Sequence, residues 1–532
     1  MSNWIKAISY ADLQGKQRTV LRHQGKQIAL FLTEHGVLAC NNRCPHEGYP
    51  LSEGTLDNGS LANSCQLTCN WHSWTFDLKT GANLYGGDQL RVYPTELRDD
   101  GAVWVDLAEP PFEQRQAGIM ANLREAFDDH DYERLARELA RLRLLGADPL
   151  DAVRAAIEWS YQRLEFGWTH AYAGAADWLS LYDEHADDPA IQLVCLQETL
   201  GHMADDVLRE SDYPYSEQVQ VFEEDAFVAA IDAKNETAAI AMLRGALADG
   251  LHFPALERAL SRAALLHYNN FGHALIYVTK AGDLIARLGE QVELPLLVSL
   301  IRSLIFARRE DLIPEFRQYA AALANWGQAT DSAPPGIDVY RKLTVNKALR
   351  YTVQHSATPP PQLFQALLGA NAGQLLHFDM HYQFQTDRPV SDNVGWLDFT
   401  HGITFANAVH KQCRKFPELW PAGLLQMACF SGRNKPYTDA SLNASEWAVE
   451  DGQAFLAQQI ALLFDHGKDE YIVSVHLLKT LLAAREELEL GASAETRQLL
   501  LAALNRFLHA PLKRKHTRRT AQQALSFVAL DG

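Results

Sequence analysis

Cys44-Pro45-His46 and, after a gap of 22 residues, Cys69-Asn70-Trp71-His72 set two thiols and two imidazoles in the pattern Cys-x-His…Cys-x-x-His. Such a set can hold a sulfide-bridged pair of irons asymmetrically, with both Cys on one iron and both His on the other. Tetrahedral zinc is the competing use of two Cys and two His. Zinc fingers, however, place the Cys in one box and the His in the other, whereas each box here supplies one of each.

A second group of candidates lies further along. Trp168-Thr169-His170-Ala171, Phe271-Gly272-His273-Ala274 and Phe399-Thr400-His401-Gly402 each set one His among small and apolar neighbours. Glu198 with His202, His377 with His381, and Asp398 with His401 stand three or four residues apart, a spacing that shares one helix face. Helical iron proteins build their sites from carboxylates and histidines projecting inward from facing helices. His170, Glu198, His202, His273, His377, His381, Asp398 and His401 are therefore candidate ligands of a second, non-haem iron. The bland alternative is a set of hydrogen-bonded core histidines, and with 20 His in the chain one-turn pairs also arise by chance.

The runs Asn42-Arg43-Cys44-Pro45-His46-Glu47-Gly48-Tyr49-Pro50 and Cys69-Asn70-Trp71-His72-Ser73-Trp74-Thr75-Phe76-Asp77 resemble the two cluster-binding loops of the Rieske family. The resemblance covers about residues 1–108. It implies a small antiparallel β domain carrying a [2Fe–2S] cluster on Cys44, His46, Cys69 and His72, with the His ligands near the surface, where an electron can leave. Asn70 stands where the family commonly has Pro, and Ser73 where Gly is common. Both changes should alter hydrogen bonding and potential more than ligation.

Respiratory members carry an additional Cys in each loop, which pair as a disulfide. No such pair stands here, and Cys65 lies outside the second box. The likeness is to the ferredoxin and oxygenase branch, at the low end of the Rieske range, about −150 mV. Ring-hydroxylating Rieske oxygenases resemble the chain only in these boxes. Their iron-binding Asp/Glu-x₂-His-x₄-His pattern is broken, because Asp398-x₂-His401 is followed at the required place by Ala406 and the next His is His410. The stretches 267–277 and 401–410 faintly resemble the helical questin-oxidase-like proteins, which are linked to oxygen-dependent ring opening. That likeness assigns neither residues nor substrate.

The elements that must position these residues change in kind along the chain. Short alternating runs such as Thr19-Val20-Leu21 and Ile28-Ala29-Leu30-Phe31, separated by Gly15, Gly25 and Gly36, predict strands and turns through residues 4–38. Residues 90–94 and 101–107 close that β domain, and Glu109-Pro110-Pro111 interrupts it. From about residue 114 the texture is Ala, Leu, Arg and Glu at helical spacing. The expected organisation is a multidomain chain: an all-β Rieske domain over 1–108, a linker over 109–113 and an all-α domain over 114–532. Ala126-Phe127-Asp128 and Leu193-Val194-Cys195-Leu196 recur 104 residues later as Ala230-Ile231-Asp232 and Leu297-Val298-Ser299-Leu300, with a looser echo at Ile472-Val473-Ser474-Val475. Stacked helical repeats over about 126–213, 230–315 and 360–490 would produce that pattern.

Composition narrows the class. A net charge of −18 argues against nucleic acid as a partner. Seven Cys without a disulfide rhythm suit a reducing cytoplasm. The start Met1-Ser2-Asn3-Trp4-Ile5-Lys6 lacks a signal-like apolar stretch, and no run of 18 apolar residues occurs, so a cytoplasmic protein without a membrane partner is expected. Neither Gly-x-Gly-x-x-Gly after a strand nor a Walker loop is present, so electrons should arrive from a separate reductase or ferredoxin. Lys513-Arg514-Lys515-His516-Thr517-Arg518-Arg519 is a basic island. It reads as a solvated helix end, with docking of an acidic redox partner as the alternative.

Together these features point to an iron–sulfur oxidoreductase. Its cluster relays electrons to a helical domain that oxidises a small organic substrate with O₂ at a non-haem iron, as a monooxygenase or dioxygenase. The rival class is an electron carrier or redox sensor fused to a helical protein-binding scaffold without its own catalytic metal.

Overall fold

The computed structural model describes residues 3–58, 65–85, 87–331, 333 and 335–530. The chain divides into two compact units, residues 1–149 and 150–532.

Among the described residues, the first unit is built on three antiparallel sheets. Trp4–Ser9, Ala102–Asp106 and Thr95–Leu97 form one; Arg18–His23, Lys26–Thr33, Gly36–Asn41 and Val92–Tyr93 a second; Thr55–Asn58, Cys65–Thr68 and Thr75–Asp77 a third. Within Lys26–Thr33 the segment Ile28-Ala29-Leu30-Phe31 is buried on both faces, which explains its unbroken apolar character. Ile28 and Leu30 join a core with Val103 and Val105, while Ala29 and Phe31 turn to a second core that contains Cys44, Cys69 and Phe76. Period-two alternation on one strand thereby serves two cores.

Besides the short helix Tyr10–Lys16, two longer helices after the prolines belong to this unit, Phe112–Asp128 and Tyr132–Leu145. The second is capped by Asp131, whose side chain accepts from the Arg134 N–H, and ends at Gly146 in the left-handed conformation (φ 82°). The fully buried Asp88 accepts from Arg137 at 2.9 Å and from Arg141 at 2.6 Å, which fastens this helix to the β domain. The break expected at 109–113 is therefore not where the compact units part. Prolines 110 and 111 end the strands, but the next two helices stay with them.

The second unit is helical, with one isolated bridge between Phe378 and Thr438. Its centre is a square of four helices, His170–Glu184, His273–Leu288, Trp396–Lys415 and Tyr471–Glu489, each packed on the next around the ring. Their cross-contacts show that all four run in the same direction. His170/His273, Asp177/Lys280 and Asp183/Arg287 meet at offsets of 103, 103 and 104 residues. His273/His401 and Asp283/Lys411 are both 128 apart. Antiparallel neighbours would keep the sum of the numbers constant rather than the difference. The offset of about 104 seen in the sequence is thus close to the register between the first two inner helices. Among the described residues, no helix is long and apolar enough to cross a membrane.

Candidate metal centres

Two turns of the same design carry the first site. In the first, the Cys44 N–H donates to the Tyr49 carbonyl at 2.9 Å and the Gly48 N–H to the Cys44 carbonyl at 2.8 Å. In the second, the Cys69 N–H donates to the Trp74 carbonyl at 2.8 Å and the Ser73 N–H to the Cys69 carbonyl at 2.9 Å. Each turn needs a left-handed residue four places after its Cys, supplied by Gly48 (φ 78°) and Ser73 (φ 62°). Asn70 takes the place between the ligands and ties the second turn down: its amide donates to the Glu53 carbonyl at 2.8 Å, and its Oδ1 accepts from Thr55 at 2.9 Å.

Cys44 and Cys69 are buried side by side, neither in a disulfide. Burial, with the neighbouring Cys69 adding to it, outweighs the backbone N–H donors and pushes the Cys44 thiol up to about 11. Two adjacent sulfurs without a protein counter-cation call for a metal to hold them as thiolates. The His46 and His72 rings meet edge to face at 4.8 Å, and His46 stacks on Trp74 at 4.4 Å. His46 Nδ1 is buried without a hydrogen-bond partner, as a nitrogen reserved for a metal would be. His72 lies on the exposed side, beside Glu47 at 3.7 Å and the exposed Trp71. The donor set, the orphaned nitrogen and the buried thiol pair fit an asymmetric [2Fe–2S] cluster with its His side toward solvent.

These sheets and turns define a Rieske-type electron-transfer domain, followed by a large helical region. The Rieske [2Fe-2S] domain family matches residues 3–93. The chain is 34% identical over 84 residues to the ferredoxin subunit of 3-phenylpropionate/cinnamic acid dioxygenase from Escherichia coli, a match covering 15% of this chain and 74% of that one. It is 26% identical over 107 residues to the ferredoxin component of the naphthalene 1,2-dioxygenase system from Pseudomonas putida, covering 20% and 96%. With 4beta-methylsterol monooxygenase from Methylococcus capsulatus it shares 31% identity over 110 residues, spanning 18% of this chain and only 28% of the relative. Through its N-terminal domain the chain belongs to the Rieske family, and that domain implies a [2Fe–2S] cluster.

The second site lies inside the helical square. Three of the histidines singled out in the sequence, His170, His273 and His401, come together, and His476 joins them, one from each inner helix. His273 Nε2 lies 3.1 Å from His170 Nε2 and 2.9 Å from His401 Nε2. One ligating nitrogen from each of His170, His401 and His476 falls within 4.8 Å of the other two. Gly174 makes this closeness possible, since a Cβ there would meet Val475 at 2.6 Å. The turn Asn270-Phe271-Gly272, left-handed at all three residues (φ 46°, 46° and 78°), aims His273, and a Cβ on Gly272 would strike Phe405 at 2.5 Å.

The tautomers follow from the partners. His273 Nδ1 donates to the Asn270 carbonyl and His476 Nδ1 to the Ile472 carbonyl, both at 2.6 Å. A carbonyl only accepts, so these Nδ1 atoms carry the protons and the Nε2 lone pairs point inward. His476 Nε2 is buried with no hydrogen-bond partner. Burial first, and the Lys479 ammonium second, hold His170, His401 and His476 well below the ordinary imidazole range and His273 at about 3. Lys479 Nζ is 3.4 Å from His401 Nε2, and burial brings this lysine down to about 7 against the pull of Asp177. The single Nε2 lone pair of His273 can accept from only one of its two neighbours at 2.9 and 3.1 Å, whereas a cation between the rings would satisfy all of them. Two nitrogens bonded at about 2.0–2.1 Å to one metal at a right angle stand about 2.9 Å apart, so the spacing suits a shared ion.

The remaining candidates go elsewhere. Glu198 and His202 do share a helix, but Glu198 pairs with His466 at 3.1 Å and His202 stacks on Tyr471 at 5.0 Å. His377 and His381 are not on one helix: Pro360–Leu376 ends before His377, which bonds the Asp439 carbonyl at 2.9 Å, and His381 starts a separate short turn. The Asp398 carboxylate caps its own helix by accepting from the Gly395 N–H at 2.8 Å. His476 was missed because no His or carboxylate stands three or four residues from it: those places hold Ile472, Val473, Lys479 and Thr480. The echo Ile472-Val473-Ser474-Val475, which ends one residue before it, marked the right helix. At the far end of the square a charged cleft of about 580 Å³ opens, lined by Asp177, Lys280, Asp283, Lys411 and Arg485.

Proposed function

We propose that the chain is an oxygen-using oxidoreductase in which the Rieske cluster feeds electrons to an iron held by His170, His273, His401 and His476. The observation that carries this reading is the convergence of one imidazole from each of four parallel helices, with backbone carbonyls taking the Nδ1 protons of His273 and His476 and leaving their Nε2 lone pairs free. Hydrogen-bonded outer nitrogens of this kind fix the orientation and basicity of metal-ligating imidazoles. An all-imidazole set suits iron, copper, nickel or zinc, and the electron-transfer domain on the same chain favours a redox metal, iron. Bound there, iron would supply one-electron chemistry toward O₂ for the oxidation of a small organic substrate.

This chain's residues supply the surroundings. Burial keeps the four imidazoles neutral and ready to ligate, and Lys479 places an amine beside them. The exposed His72 edge, flanked by Trp71, offers an entry for electrons from a separate reductase or ferredoxin. The relatives named above belong to dioxygenase and monooxygenase systems, which supports an oxygenase setting. Seven cysteines with no disulfide among them suit a reducing cytoplasm.

Metal and acid-labile sulfide analysis of the purified full chain tests this directly. Three Fe and two sulfides per chain are expected; two of each, or zinc as the additional metal, discards the catalytic reading and leaves the carrier-and-scaffold one. His273→Ala and His401→Ala should each abolish the third iron and substrate-dependent O₂ consumption while leaving the cluster's visible spectrum intact. Core histidines would behave otherwise, losing about 1–3 kcal/mol of stability with iron content unchanged.

A further inference from the structure

The basic island of the sequence folds onto the histidine end of the inner helices. Lys513, Arg514, His516 and Arg519 edge a cavity of about 110 Å³. The cavity also takes in Asp398, three residues before His401, and Val473, three residues before His476. Three residues of helix rise about 4.5 Å. Two of its lining residues thus stand about one helical turn before His401 and His476 on the same helices.

Its positive charge is poorly offset. Arg514 lies 3.5 Å from Glu470, and Asp398 is occupied by the Gly395 N–H at 2.8 Å and by Arg433 at 3.6 Å. Arg519 donates to the Tyr382 carbonyl at 3.4 Å, and burial holds its guanidinium below the usual arginine range with no carboxylate opposing the shift. His516 Nδ1 is buried without a hydrogen-bond partner. In a chain of net charge −18 this is a local attractor for anions within a field that otherwise repels them. The lining also offers apolar surface, from Leu512, Val473, Val394 and Trp396. An inorganic anion would satisfy the cations and leave that apolar surface uncovered.

We propose that this cavity is the substrate-recognition site of the histidine centre, and that it takes a carboxylate carried on an apolar ring. The inference rests on the reading of the helical unit as an oxidoreductase of a small organic substrate, and it adds the class of that substrate. Lys513 and Arg519 engage the carboxylate, Leu512 and Val473 cover the ring, and the ring's far edge is directed toward His401 and His476. Charge-assisted hydrogen bonds give the site its preference for the anion over a neutral isostere.

Calorimetric titration of the full chain with benzoate, with the neutral isostere benzamide and with inorganic phosphate tests the assignment, with iron quantified in the same samples. Benzoate should bind at least about tenfold more tightly than benzamide and than phosphate. Arg519→Gln combined with Lys513→Gln should weaken benzoate by about tenfold or more at unchanged melting temperature, cluster spectrum and iron content. Should the double variant unfold, Lys513→Gln alone should still weaken benzoate by about threefold. No benzoate binding, equal affinity for benzamide, tighter binding of phosphate, or full affinity in the variants would overturn the assignment. A chain that binds benzoate as expected but holds only two Fe would retain the anion site and refute the proposed function instead.

Discussion

Gly48 and Ser73 hold the same place in two copies of one turn, yet only one of them is glycine. A side chain in the left-handed region costs about 1–2 kcal/mol, partly offset by the chain entropy that glycine would lose on folding. Ser73 is exposed, so Ser73→Gly gives up little packing. The variant should be about 0.5–1 kcal/mol more stable, read as a raised unfolding midpoint with an unchanged visible spectrum; a lowered midpoint would show that the serine supports the cluster. The four cluster ligands were legible because short sequence spacing fixes a turn. His170, His273 and His401 were legible because one apolar-flanked His recurs at inner-helix register. Glu198, His202, His377, His381 and Asp398 have other partners in the structure, because helical spacing says which residues share a face, not which partner that face meets. Glu198 found His466, and the helix that should have carried His377 onward to His381 stops at Leu376.

At the scale of elements, the strands and the change to helices were readable from alternation and from the prolines. The allegiance of the two helices after the prolines was not, because it is set by Asp88, a single acid in a loop with no local pattern. Burial tends to raise the Asp88 carboxyl, but Arg137 and Arg141 outweigh it and hold it below the ordinary value of 3.8. Its stabilising contribution is therefore complete above that value and lost as pH falls through the lower folded value. Asp88→Asn removes one partner of a buried ion network, at about 3–5 kcal/mol for full burial and about 2–4 kcal/mol here, because Arg137 and Arg141 are partly exposed. The deficit should appear in thermal unfolding at pH 7 and shrink below pH 3.8, where wild-type Asp88 also becomes neutral. A deficit independent of pH would mean that shape, not charge, fastens the helix.

Glu138, buried on the same helix, works in the opposite direction. Burial pushes its carboxyl from 4.5 up to about 7 although Arg141 pulls it down. As pH rises from 4.5 toward 7 the unfolded chain releases this proton before the folded one does, so the fold loses stability across that window. Glu138→Gln removes the titration. Its stability relative to wild type should improve from pH 4.5 to about 7 and then level off; a flat difference across this range would assign Glu138 a permanently ionised pair with Arg141.

At the scale of the whole molecule, each compact unit holds one set of proposed ligands: Cys44, His46, Cys69 and His72 in residues 1–149, and His170, His273, His401 and His476 in residues 150–532. Separate expression should therefore divide the metals. Residues 1–149 should carry two Fe and two acid-labile sulfides, and residues 150–532 one Fe and no sulfide, since a unit of either size has its own core. The place of the cut decides the outcome. A fragment ending at residue 110, where the prolines invite the division, keeps all four cluster ligands but loses Arg137 and Arg141, leaving Asp88 with an uncompensated charge and the surface under the two helices bare. It should bind the cluster yet melt several degrees below the fragment ending at 149, as expected for a domain of this size that loses about 2–4 kcal/mol. Equal melting temperatures would move Phe112–Asp128 and Tyr132–Leu145 out of the Rieske unit. Sulfide-free iron in the first fragment, or none in the second, would show that the histidine centre needs residues from outside the helical unit.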